Sequence, residues 1–383
     1  MERNLKTLLI HNIVAPYRLP LFDEIAKRCD LTVLFCSPKV DGRQWSNNLA
    51  QQRFHSKFLR HIKLGFFTLN PGLPFYLLKH PADIYILIDN EENVFSNLCA
   101  AWITKLTGKS YVLWSGHIPI DGATIHPIDF HSSLLHRWPI KNLFIRATNY
   151  LNGNIYAGAA SYLAYSSASK QFLIKRGVNP VNIVVGTQAM SPSLMLAAKE
   201  KVRLNTEKLQ VLYLGYLRPE KGVKTLINAV LKLPASKVDL HIVGDGPEKN
   251  RLQEIVGSAT NIKFHPYANT TKRAQWYTSV DVLVLPTFYD PWAHVVTESL
   301  YYGTPVIVTN SAAASIVIQQ GKNGFVFEAG DIDDLADTLN TLTAQVIITM
   351  RKYICQADNS RLYSVDADAV NFMKAIDLAL GDE

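Results

Sequence analysis

Short, unbroken apolar runs separated by amphipathic stretches set the rhythm of this chain. Residues 5–14, 31–36, 83–88, 111–114, 162–166 and 183–186 read as strands in the first half, and 210–214, 238–243, 282–285 and 305–308 in the second. A run such as Val282-Leu283-Val284-Leu285 lacks the in–out alternation of a half-exposed strand, so it belongs in a sheet covered on both faces. Amphipathic stretches fall between the runs: up to about Arg28, 93–106, from Ser166 to Gly177, 290–302, 331–342 and 365–380. Strand and helix alternate throughout, which predicts an α/β chain with doubly wound parallel sheets. Residues 37–70 are polar, basic and irregular and read as loops, and 191–208 read as a linker.

The stretch 282–309, VLVLPTFYDPWAHVVTESLYYGTPVIVT, carries the densest pattern. Pro286 ends its strand, Asp290 stands where an N-cap is expected and Pro291 at N1, and Gly303 suits a left-handed C-cap before the next strand at Pro305. A helix running from Asp290 to Tyr302 would open at the carboxyl edge of the sheet. Its positive dipole end would offer an anion site there. Eight residue steps separate Asp290 from Glu298. On one helix that is about 80° of rotation and two turns of rise.

These residues resemble the signature of the retaining nucleotide-sugar glycosyltransferases of glycosyltransferase family 4, which have the two-domain GT-B fold. The family pattern is acidic-Pro-Trp-Gly, an apolar pair, a glutamate, then Gly-x-Pro-Val. It stands here as Asp290-Pro291-Trp292-Ala293-His294-Val295-Val296-Thr297-Glu298 and Gly303-Thr304-Pro305-Val306. Asp replaces the usual first Glu, and Ala293 replaces the usual Gly. Gly215-Tyr216-Leu217-Arg218-Pro219-Glu220-Lys221-Gly222 resembles the family's Gly-Arg-Leu-x-Pro-Glu-Lys-Gly loop, whose basic residues hold the donor diphosphate. Lys221 maps directly. Tyr216 takes the place of the arginine, and Arg218, two residues on, points the same way if the loop is extended.

The resemblance implies two Rossmann-like domains facing across a cleft: 1–190 for the acceptor and 205–360 for the nucleotide-sugar, with 361–383 forming a helix that returns to the first domain. It further implies that Glu298 accepts hydrogen bonds from a ribose and that Asp290 binds sugar hydroxyls. The backbone around Trp292, Ala293, His294 and Val295 would meet the sugar and distal phosphate, Gly215 would line the donor loop, and Tyr267 would pack on the base. On the other domain, His117, in a W-x-x-H-like setting after 111–114, would position the sugar. Tyr17 and Arg18, in a PYR-x-P turn, would face the acceptor and an anionic group.

Composition narrows the remaining choices. With 383 residues, 48% hydrophobic and 19% charged, the chain is globular and long enough for two domains. Residues 1–190 carry 20 Lys and Arg against 11 Asp and Glu, and 191–383 carry 19 against 21, so the net +7 arises entirely in the first half. A phospholipid surface, a lipid-linked pyrophosphate or an acidic glycan would suit that half, and a merely solvated basic surface accounts for it equally well. Arg137, Trp138, Lys141, Phe144, Ile145 and Arg146 in 126–160 suit a helix resting on a membrane or an ordinary domain helix. No nucleic-acid motif occurs. Four scattered cysteines, no spanning run and no signal pattern predict a reduced, cytoplasmic protein, peripheral to the inner face of the membrane if it binds lipid. Asp331-Ile332-Asp333 opens a helix, where acids complement the dipole, and is not read as a metal site.

The resemblance therefore implies transfer of a sugar from a UDP- or GDP-sugar to a glycan or lipid-linked acceptor in cell-surface polysaccharide or lipopolysaccharide synthesis. It implies no cofactor or tightly bound metal: Lys221, Arg218 and the helix terminus would neutralise the departing diphosphate. The alternative is a degenerate module that binds nucleotide-sugar or glycan without turnover, and the Asp290 and Arg218 departures leave room for it. An epimerase or phosphorylase-like enzyme would not call for both motifs, and no Gly-x-Gly-x-x-Gly follows the first strand as a dinucleotide oxidoreductase requires.

Overall fold

The computed structural model describes residues 4–38, 49, 52–65, 67–118, 141–186, 188–190, 207–357 and 364–381, with only the backbone for 141–149. The chain divides into two compact units, Met1–Ser191 with Ser364–Glu383, and Pro192–Tyr363.

In the first unit the strands are β1 (Lys6–His11), β2 (Asp30–Phe35), β3 (His55–Phe58), an antiparallel hairpin of β4 (Ile62–Leu64) and β5 (Phe67–Leu69), then β6 (Ile84–Ile88), β7 (Ser110–Ser115), β8 (Ser161–Ala164) and β9 (Ile183–Val185). All but the hairpin form a seven-stranded parallel sheet in the order β3-β2-β1-β6-β7-β8-β9. Three of these strands lie in 37–70, which the sequence reads as loop. β3 escapes the apolar pattern because it is an exposed edge strand of His, Ser, Lys and Phe, the polar kind that resists further pairing.

Successive residues of β1 face opposite sides. Leu8 and Ile10 join a core beneath α2 (Leu73–Lys79), α3 (Val94–Leu106) and α4 (Lys141–Gly158), while Leu9 joins one beneath α1 (Leu19–Ile25) and the final helix, Val365–Leu380. That last helix is integral to the first unit. Phe372 packs edge-on to Trp114 at 4.7 Å, and the Ser161 hydroxyl donates to the Ala375 carbonyl at 2.6 Å. The remaining helix of this unit is α5 (Ser167–Lys175), whose N-cap Ser166 accepts from the Ser169 N–H.

The second unit is a six-stranded parallel sheet of β10 (Leu209–Leu214), β11 (Val238–Val243), β12 (Ile262–His265), β13 (Val282–Leu285), β14 (Val306–Thr309) and β15 (Gly324–Phe327), ordered β12-β11-β10-β13-β14-β15. Its helices are α6 (Val223–Leu231), α7 (Lys249–Val256), α8 (Thr270–Ser279), α9 (His294–Tyr301), α10 (Ile332–Thr341) and α11 (Ala344–Gln356). Asp331 is the N-cap of α10 and accepts from the N–H groups of Asp333 and Asp334, so this acidic cluster is capping chemistry. In each sheet the strand order reverses once, between β1 and β6 and between β10 and β13. Loops part at the carboxyl ends of those strands and leave a crevice where sheets of this kind bind ligands.

Candidate functional site

In the second unit, the loops leaving β10 and β13 are laced together. Gly222 has φ 63°, and a Cβ there would lie 1.9 Å from the Pro286 carbonyl oxygen, so only glycine lets the loops close. The Glu220 carbonyl accepts from the Phe288 N–H at 2.8 Å and from the Thr287 hydroxyl at 2.9 Å. This lacing brings the Lys221 ammonium to 2.6 Å from Asp290 Oδ2. Burial alone would raise the Asp290 carboxyl, but Lys221 and the Trp292 N–H outweigh it and hold the group below the usual carboxylate range.

Asp290 does not cap a helix. Its Oδ1 accepts from the Trp292 N–H at 3.2 Å, its own N–H meets the Ser311 carbonyl at 3.4 Å, and its carbonyl accepts from Ala313 at 3.0 Å. These bonds to the loop after β14 hold 290–293 out of the helix, which begins at His294. The rotation expected for two groups on one helix therefore does not apply to Asp290 and Glu298, and the Trp292 N–H already has a partner. Ala293 makes the turn into the helix at φ 72°, the one described non-glycine residue with positive φ, at the position where the resembled pattern has glycine. His294 and Val295 then form the first turn of α9, at the positive end of its dipole.

Glu298 lies four residues into α9 and is buried. Its Oε2 accepts from the Tyr277 hydroxyl at 2.6 Å and from the Arg273 guanidinium. Burial works against the Arg273 charge, but Glu298 outweighs it and raises the pKa further. Sequence reasoning missed Arg273 and Tyr277. The available signal was their i, i+4 spacing on α8, which puts both on one face.

The loop after β10 is not extended. The Arg218 N–H donates to the Tyr216 carbonyl at 3.1 Å around the buried Leu217, and the two side chains meet through this turn, with the guanidinium 4.9 Å from the ring centre. Arg218 also lies 3.8 Å from Glu220 Oε1. The Gly215 N–H extends the sheet by donating to the Val243 carbonyl at 3.0 Å. Tyr267 is exposed in the loop after β12.

The first unit has its own charged cluster at the carboxyl ends of β6 and β7. Asp89 accepts from the Ser115 hydroxyl at 2.7 Å and from the Tyr156 hydroxyl, and lies 3.2 Å from His117 Nε2; Glu91 lies 3.6 Å from the same nitrogen. Burial disfavours the imidazolium, but the two carboxylates outweigh it and push His117 up to about 9. Arg18 is buried, not a surface group. Its guanidinium lies 4.6 Å from the Trp114 ring centre, 5.0 Å from Tyr165 and 5.2 Å from Tyr17. Of 126–160, residues up to 140 lie outside the described set, and the remainder includes α4.

Among the described residues, no three His, Cys, Asp or Glu side chains cluster as metal ligands, and no helix is long and apolar enough to cross a membrane.

Residues 196–358 match the family profile described as glycosyl transferases group 1. The lipopolysaccharide core biosynthesis glycosyltransferase LpsE of Rhizobium meliloti is 28% identical over 175 residues, 44% of this chain and 48% of that protein. The chain thus spans about half the length of this curated relative. Among solved structures, Anabaena HepE in complex with UDP and glucose superposes with a TM-score of 0.72 at 17% identity, covering 97% of this chain and 99% of that one. The lipopolysaccharide outer core galactosyltransferase WaaB does so at 0.67 and 21%, covering 97% and 99%. The chain therefore has the GT-B fold, and residues 196–358 are similar to the glycosyl transferases group 1 family.

Proposed function

We propose that this chain is a retaining glycosyltransferase that moves a sugar from a UDP- or GDP-sugar to a glycan or lipid-linked acceptor in cell-surface polysaccharide synthesis, with no tightly bound metal. The observation that carries the reading is the convergence of Lys221, Asp290 and the α9 N-terminus at the switch point of the second sheet, with the buried Glu298 on the same helix. Cationic side chains and helix N–H groups at one crevice suit a diphosphate, and a fixed carboxylate suits a ribose diol.

In the reaction, the bond from the anomeric carbon to the diphosphate oxygen breaks. The acceptor hydroxyl oxygen bonds to that carbon on the same face, and its proton passes to the departing phosphate. Lys221 and Arg218 neutralise the charge that develops on the diphosphate, so no metal is required for that task. Asp290, held ionised by Lys221, accepts bonds from sugar hydroxyls. On the first unit, His117, held as an imidazolium by Asp89 and Glu91, is the candidate donor to a sugar hydroxyl.

HepE has been solved with UDP, which places UDP first in a calorimetric screen of UDP, GDP and ADP and their sugar conjugates. One nucleoside diphosphate binding well above the others, with its sugar conjugate turned over, is the expected result. Binding of that conjugate with neither transfer nor hydrolysis would replace this reading with the degenerate module, and binding of none would remove the donor site altogether.

A further inference from the structure

Helices α2, α3 and α4 cover one face of the first sheet, each contributing to the core there through Leu73 and Leu77, Val94 and Ile103, and Ile155 and Tyr156. Their solvent sides therefore form one outer layer. A solvated helix face ordinarily carries charged side chains. Here α3 presents Phe95, Trp102 and Leu106, seven and four residues apart and so on one stripe, with Trp102 67% and Leu106 81% exposed. Phe75 and Leu78 of α2 are 77% and 60% exposed, and Tyr150 of α4 is 73% exposed. Outside this layer, the most exposed of the described large apolar residues, Val181 at 71%, Ile316 at 59% and Leu64 at 57%, are not gathered on one helix stripe.

The charge on the layer is of one sign. The three helices contain no Asp or Glu in their sequences, and α2 and α3 carry Lys79 and Lys105. Residues 55–82, which lead into and through α2, also lack acids and hold Lys57, Arg60 and Lys63. Glu92 and Asp83 at the margin are matched by Lys63 and Lys109. An exposed apolar layer with aromatic rings, basic neighbours and no acids fits a bilayer interface of anionic lipid. Acyl chains take the apolar side chains, headgroups attract the lysines, and Trp and Tyr favour the boundary.

We infer that the outer layer of α2, α3 and α4, centred on Phe75, Trp102 and Leu106, docks the protein on an anionic phospholipid surface. This docking is independent of the donor site, and its test needs no nucleotide.

The purified full chain would be sedimented with vesicles of phosphatidylcholine containing phosphatidylglycerol and with vesicles of phosphatidylcholine alone. Binding to the first, suppressed by salt and weak on the second, is expected. A Trp102→Ser/Leu106→Ser variant should lose roughly a hundredfold in partitioning, since each buried apolar side chain contributes about tenfold. Lys79→Gln/Lys105→Gln, which leaves the apolar stripe intact, should lose about fivefold per lysine. Absence of wild-type binding to the anionic vesicles, or equal binding by both variants, would overturn the inference. So would a wild-type dimer in sedimentation velocity that Trp102→Ser/Leu106→Ser converts to monomer, because a second copy would then be the occupant of this face.

Discussion

Lys221 and Asp290, 69 residues apart, are each other's partners at 2.6 Å. The resemblance assigns one to the diphosphate and the other to the sugar, and the pairing makes the two side chains one electrostatic unit. Lys221→Ala removes a charge-assisted bond to phosphate, so affinity for the nucleoside diphosphate should fall by one to two orders of magnitude, about 1.5–3 kcal/mol. It also leaves Asp290 buried without its cation, at a cost in folding stability of about 2 kcal/mol. Asp290→Asn in the same chain should recover part of that stability and none of the affinity. A denaturation cycle with matched calorimetry reads both, and strictly additive stability losses would show that the pair is not coupled.

Ala293 sits at φ 72°, where a non-glycine residue is strained by about 1–2 kcal/mol. Glycine relieves the strain but adds chain entropy to the unfolded state, so Ala293→Gly should be neutral or stabilising by up to about 1 kcal/mol. Ala293→Val puts a β-branched side chain in the same conformation and should destabilise by roughly 2 kcal/mol or more. Chemical denaturation of the three proteins checks the ranking. An Ala293→Val variant as stable as wild type would mean that the turn readily rearranges.

Much of this architecture was legible because buried parallel strands have to be continuous apolar runs, as at 282–285, and because an amphipathic stretch such as 365–380 marks a helix. Lys221 was singled out by its match to the resembled Pro-Glu-Lys-Gly loop, and the structure gives the physical reason for that loop's glycine, since a Cβ at Gly222 would meet the Pro286 carbonyl. What failed was decided by contacts distant in sequence. Asp290 looks like a cap in its own neighbourhood, but Ser311 and Ala313 take its backbone. Arg273 lies on a helix that reads as an ordinary polar one until Glu298 is brought against it. The apolar side of α3 looks like a core-facing stripe until the structure shows that a different side faces the sheet.

His117 is raised to about 9 by Asp89 and Glu91, so the proton it binds on folding is a stability term with a definite sign. Below the ordinary histidine value of about 6.5 the imidazole is charged folded or unfolded, and the contribution is fully present. It is lost as the pH rises through about 9, where the folded imidazolium gives up its proton. The stability gap between wild type and His117→Gln should therefore narrow steadily from pH 6.5 to 9. Urea titrations at intervals across that range test it, and a constant gap would show that His117 is neutral in the folded protein.

Arg273 and Tyr277 both donate to Oε2 of Glu298, which ties that oxygen of the buried carboxylate down from two sides. If that carboxylate receives a ribose diol, Arg273 is a positioning residue whose effect appears in discrimination and not in overall affinity alone. Wild type should bind the preferred nucleoside diphosphate about ten- to a hundredfold more tightly than its 2′,3′-dideoxy analogue, the span set by one or two hydrogen bonds to a charged group. Arg273→Met leaves the carboxylate buried beside an apolar chain, and that ratio should collapse towards unity while binding of the analogue itself changes little. Tyr277→Phe removes one neutral donor and should have a smaller effect of the same kind. A purely structural arginine would weaken both ligands equally and leave the ratio untouched. Two calorimetric titrations on each protein therefore separate positioning from scaffold.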